Sequence, residues 1–82
     1  MILTDIYIPS MDQSFDFQVD ETVPVNSLII EIAEMIGNEV KSGKQYRAEE
    51  FLLCSMDQGV ILKKTETLAS SGIKNGSRLM LV

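Results

Sequence analysis

Apolar and polar positions alternate along the first twenty residues. Ile2, Ile6 and Ile8 fall at even positions with Asp5 and Tyr7 between them, which predicts a half-buried strand over roughly residues 2–9. Phe15, Phe17 and Val19 alternate with Asp16, Gln18 and Asp20 and predict a second strand with a polar outer face. The short polar link between them implies an antiparallel hairpin. The period then lengthens. Val25, Leu28, Ile29, Ile32, Met35 and Ile36 share one helical face, with Ser27, Glu31, Glu34 and Asn38 opposite and Ile30 pointing away from the stripe. Pro24 is expected in the first turn, where a missing N–H leaves nothing unpaired. Two ends are compatible with this helix: a cap at Gly37-Asn38, or a continuation to Lys41 before Gly43, and the return of Val40 to the apolar face favours the longer one.

Residues 42–49 read as a polar connector. Phe51-Leu52-Leu53-Cys54 is a third strand, apolar on both faces, and Val60-Ile61-Leu62 a fourth, joined by a tight turn that closes at Gly59. Thr67 to Gly72 predicts a single helical turn, Lys74-Asn75-Gly76-Ser77 a tight turn, and Arg78 to Val82 a last strand. Ser-Met-Asp-Gln occurs at 10–13 and again at 55–58, both at hairpin turns, and shared turn chemistry accounts for both copies. The order β-β-α-β-β-turn-β gives one apolar helix face and one apolar sheet face. The expected architecture is therefore a two-layer α+β domain spanning residues 1–82.

Composition narrows what such a domain does. With 82 residues there is room for one domain with a thin core. The chain has no histidine and one cysteine, Cys54, so an intramolecular disulfide, a multi-cysteine metal site and a histidine-based triad are all excluded. The glycines are scattered at turns and form no phosphate-cradling loop. No catalytic residue, metal ligand or cofactor site is assigned, and the chain reads as a non-enzyme. The net charge of −5 and the lack of aromatics among basic residues argue against nucleic acid. Residues 1–40 carry eight acids and no base, while residues 41–82 carry seven bases and four acids. That asymmetry is either a steering field for a partner or ordinary solvated surface. No stretch is apolar enough for direct membrane insertion and no secretory signal is visible, so a cytoplasmic location is expected.

The last sixteen residues, Thr67-Leu68 through Gly72-Ile73 and Lys74-Asn75-Gly76 to Leu79-Met80-Leu81-Val82, resemble the ending of the ubiquitin-like β-grasp fold. The resemblance implies a mixed sheet of four to five strands packed on one helix, with Leu68 and Ile73 plugging the core and Leu79 and Leu81 lining the inner face of the last strand. Val-Pro-Val at 23–25 leading into the helix, and Gly-Ile-x-Asn-Gly-x-Arg-Leu at 72–79, are similar to the YukD/EsaB family, small ubiquitin-like proteins of bacterial type VII (WXG100) secretion. The likeness covers nearly the whole chain; residues 38–49 depart from it. It implies a cytoplasmic protein-binding module, accessory or regulatory to that secretion system, with a secretion component as its partner. The competing expectation is a modifier or sulfur carrier acting through its C-terminus. Such proteins use a flexible Gly-Gly tail, and a chain complete at Leu81-Val82 would lack one.

Strand alternation then suggests a binding face. With Leu79, Leu81, Phe51 and Leu53 inward, Met80, Val82, Leu52 and Cys54 point outward. The analogy with ubiquitin adds Met11 to this face and Lys63 and Arg78 to its rim. The opposing reading is that these are scattered semi-exposed residues. An acidic alternative uses Asp16, Asp20, Glu31 and Glu34.

Overall fold

A computed structural model describes residues 1–39 and 48–82. Its five strands are β1 (Ile2–Ile8), β2 (Gln13–Val19), β3 (Leu53–Ser55), β4 (Val60–Ile61) and β5 (Arg78–Leu81). They form one mixed sheet in the order β2-β1-β5-β3-β4. β1 and β5 are parallel, and the other neighbours are antiparallel. The helix α1 (Val25–Glu39) packs on one face, giving the two-layer α+β arrangement that the apolar periods imply.

Alternation sorts the sheet into two faces. Thr4, Ile6 and Ile8 of β1, Leu53 and Ser55 of β3, and Leu79 and Leu81 of β5 are buried against the helix. Phe15 and Phe17 of β2 lie half-buried on the same side, with ring centroids 5.9 Å apart. From α1, Val25, Leu28, Ile29, Ile32, Ala33 and Ile36 meet them. Ile30 faces out, as its position off the stripe requires. Met35 corrects the sequence reading, because it is 38% exposed. The buried stripe is centred toward Ala33, and at 3.6 residues per turn Met35 falls just past its opposite edge.

The helix start also differs from expectation. Pro24 lies before the first turn and acts as its cap. Its carbonyl accepts from the N–H groups of Ser27 and Leu28 at 3.0 and 3.3 Å. The N–H groups of Val25 and Asn26, orphaned as at any helix start, donate to the Glu66 and Lys64 carbonyls at 2.7 and 3.0 Å. The segment after β4 thus closes the helix N-terminus, and a bridge between Pro24 and Thr67 reinforces it. Leu62, Leu68 and Ile73, from this irregular stretch, complete the core. At its other end the helix runs through Gly37-Asn38 rather than stopping there. Its expected continuation to Lys41, and most of the polar connector, lie outside the described residues.

Two further readings change. The third strand starts two residues later than its apolar run, at Leu53. Even so, Leu52 exchanges backbone hydrogen bonds with Val82 at 2.7 and 2.9 Å, so the ladder continues past the strand. The two Ser-Met-Asp-Gln copies do not share one chemistry. The first forms a 3-10 turn (Pro9–Met11) ending at Asp12, whose φ is +50° and whose carboxylate accepts from the Tyr7 hydroxyl at 3.0 Å. In the second, the buried Ser55 Oγ accepts from the Gln58 N–H at 3.1 Å and Gly59 takes the positive φ of 69°. One turn therefore bends at its aspartate and the other at its glycine.

Candidate interaction face

The face of the sheet away from α1 is built by the residues that alternation turns outward. Strand register brings Ser14, Tyr7, Met80, Cys54 and Ile61 into one row across all five strands. Three of these five come from strands that the sequence separates by more than twenty residues. The parallel β1–β5 pair carries Tyr7 next to Met80. One step along, Leu52 and Val82 sit side by side, held by their mutual backbone bonds. One step the other way, Met56 donates its backbone N–H to the Arg78 carbonyl at 3.0 Å. Cys54, Met56, Val60, Ile61 and Met80 line a shallow open hollow of about 390 Å³.

Leu52, Met56, Val60, Ile61 and Val82 are all at least 40% exposed, and Ile61 reaches 60%. Single exposed apolar residues are normal, but a contiguous set is not. Four of the expected outward residues, Leu52, Cys54, Met80 and Val82, are therefore brought together on one face. Tyr7, Met56 and Ile61 join them and were not singled out from sequence, while Val60 is the register partner of the inward Ser55. The signal for Tyr7 was present in its place between Ile6 and Ile8, but its use required knowing that β1 lies beside β5. Val60 and Ile61 gave no alternation, since their strand is two residues long.

Two expected members behave differently. Met11 is half-buried and packs against the core cluster rather than standing in the outward row. Arg78 is not a free rim cation. Its Nη2 and Nε lie 3.2 and 3.3 Å from Asp57 Oδ1, and its backbone N–H donates to Asp57 Oδ2 at 3.0 Å. Those hydrogen bonds, the backbone one foremost, hold the Asp57 carboxyl below its usual range. Lys63 is exposed just beyond β4. The hydrogen bond from the Tyr7 hydroxyl to Asp12, with the carboxylate's charge, raises the phenol's pKa. The acidic alternative does not assemble as one surface. Asp16 stands on the outer sheet face, whereas Glu31 and Glu34 are exposed on a helix that covers the inner one. Asp20 accepts from the hydroxyl and N–H of Thr22 at 2.6 and 2.9 Å, which lowers its pKa.

Among the described residues no helix is long and apolar enough to cross a membrane, and no three acidic, cysteine or histidine side chains gather as a metal site.

Residues 3–81 match the family described as WXG100 protein secretion system (Wss), protein YukD. No curated protein matches the sequence. Among solved structures, the ubiquitin-like domain of EccD5 from Mycobacterium xenopi superposes with a TM-score of 0.78 at 19% identity, over 99% of this chain and 91% of that one. Caldiarchaeum subterraneum ubiquitin gives 0.75 at 20%, over 98% and 89%. The N-terminal ubiquitin-like domain in the 4931431F19Rik protein gives 0.79 at 21%, over 99% and 72%. The fold is thus the ubiquitin-like β-grasp.

Proposed function

The chain belongs to the YukD family of the WXG100 secretion system, and from that premise we propose that it is a binding module for another protein of that system. It docks through the outer sheet face, in the cytoplasm, as an accessory or regulatory component, and it acts by contact rather than by conjugation. The observation that carries this reading is the contiguous apolar row of Tyr7, Met80, Cys54 and Ile61 with Leu52 and Val82 beside it. A face of this kind, rich in methionine, adapts its shape to a partner at little cost because the unbranched thioether side chain repacks easily. The family link to a secretion apparatus supports a component of that apparatus as the partner.

The test is an affinity capture from native-host lysate with the wild type and with Met80→Asp, read by mass spectrometry. Met80 is at the centre of the row, so a carboxylate there is desolvated and unpaired in any complex. Capture is expected to fall by at least about 30-fold, the scale of a central interface residue. Circular dichroism checks that the variant keeps its fold. Equal capture of secretion components by both proteins would overturn the assignment of the face. A covalent ladder of this chain on partner proteins in a denaturing gel would overturn the non-conjugating reading.

A further inference from the structure

The sheet has two edges, β2 and β4. β4 is two residues long, while β2 runs for seven. Among the described residues, the backbone groups left unpaired along β2 follow from its neighbour. Asp5 N–H donates to the Ser77 carbonyl at 3.0 Å, and the Leu3 carbonyl accepts from Gly76 N–H at 2.7 Å. The odd residues of β1 therefore direct their backbone groups toward β5, and the even ones toward β2. Register pairs those even residues with Gln13, Phe15, Phe17 and Val19. The N–H and carbonyl groups of Ser14, Asp16 and Gln18 then point away from the sheet, as donors and acceptors ready for another strand.

The side chains beside this edge state what kind of strand fits. On the inner side, Phe15 and Phe17 are half-buried, so their outward rims remain open. On the outer side, Asp16 is opposite Asp5 across the β1–β2 pair. Like charges at directly opposed positions repel. The one cation in register with Asp5 is Arg78, and its guanidinium is held by Asp57. Among the described residues, neither Asp5 nor Asp16 has an ion pair. A second copy of this chain is a poor occupant. Antiparallel pairing of two β2 strands about Asp16 would bring two such carboxylate pairs together.

The geometry points to β2 as the docking strand for an extended, basic segment of a partner protein, added antiparallel at the edge. The partner residue opposite Asp16 exchanges both backbone hydrogen bonds with it and projects on the outer face, where a lysine or arginine neutralises the Asp5–Asp16 pair. The residues on either side of it project inward and lie on Phe15 and Phe17, so they are apolar. The recognised sequence is apolar–basic–apolar in extended conformation, with affinity from the backbone and selectivity from the alternate side chains. This surface is separate from the apolar row around Met80 and does not depend on it.

The test uses the whole protein, isotope-labelled, and a capped nine-residue peptide with a Val-Lys-Val core between serine and threonine flanks. Two control peptides carry Val-Glu-Val, or the same lysine with a methylated backbone nitrogen. At millimolar Val-Lys-Val peptide, amide exchange is expected to slow at Ser14, Asp16 and Gln18. Both control peptides are expected to bind at least fivefold more weakly. Asp16→Lys should weaken the Val-Lys-Val peptide by about fivefold to tenfold, twice the logarithm of one exposed ion pair, and turn the preference toward Val-Glu-Val. Unchanged exchange at those three amides would overturn the proposal. So would equal binding of the N-methylated peptide, or an unaltered preference in Asp16→Lys; amide spectra confirm that the variant is folded.

Discussion

The same chemical change, glycine to alanine, is expected to act in opposite directions at two places in this fold. At Gly37 and at Gly59 an added Cβ meets no atom within 4 Å, so neither substitution is decided by crowding. The backbone decides. Gly37 lies inside α1 with ordinary helical φ, whereas Gly59 has φ of +69°. Alanine at 37 loses less conformational freedom on folding, which stabilises by about 0.5–1 kcal/mol. Alanine at 59 places a Cβ against a carbonyl in the left-handed region and costs about 1 kcal/mol net. For 82 residues the unfolding entropy is about 0.17 kcal/mol per kelvin, so Gly37→Ala should raise Tm by about 3–6 °C and Gly59→Ala should lower it by about 6 °C. Thermal melts followed by circular dichroism at fixed buffer and salt measure both. A lower Tm for Gly37→Ala would refute the argument, since it would mean that the chain needs glycine there as a helix end. Equal shifts in one direction would show that unfolded-state entropy alone governs both sites.

Two more outcomes follow from the core and from the charge pair. Leu68 is fully buried although it belongs to no strand or helix, so Leu68→Ala should cost about 2–5 kcal/mol, measured by urea denaturation; a cost below 1 kcal/mol would show that the 67–73 turn does not seal the core. Asp57 has a folded pKa below its ordinary value, so the unfolded chain takes up its proton first on acidification. Its contribution is present above about pH 4 and is lost as pH falls through the lowered folded value, so Asp57→Asn should flatten the stability–pH curve in that window. Part of the slope should persist, because Asp20 and Glu21 are lowered too. An identical slope in the variant would remove Asp57 from the account.

The layered architecture was legible because its determinants are periods. Alternation in β1 and β2 and the 3.6-residue stripe of α1 each commit a face to the core, and the two faces require one another. What was not legible depends on partners remote in sequence. Pro24 became a cap because Glu66 and Lys64 supply the acceptors that the first turn needs. Arg78 left the rim because a turn twenty-one positions earlier aims Asp57 at it. The candidate face was half legible. Met80, Val82, Leu52 and Cys54 follow from alternation alone, but Tyr7 joins them only through the parallel pairing of the first and last strands. The repeated Ser-Met-Asp-Gln misled because identical side chains answer to different backbone angles.

That parallel pairing has a kinetic consequence. β5 is the middle strand of the sheet, and it joins the β1–β2 hairpin to the β3–β4 hairpin. Asp5 and Arg78, close to opposite ends of the chain, sit in register across it. Neither hairpin can bury its inner face in a complete sheet until β5 is in place between them. The domain therefore has a high contact order for its size and folds more slowly than a helical bundle of equal length.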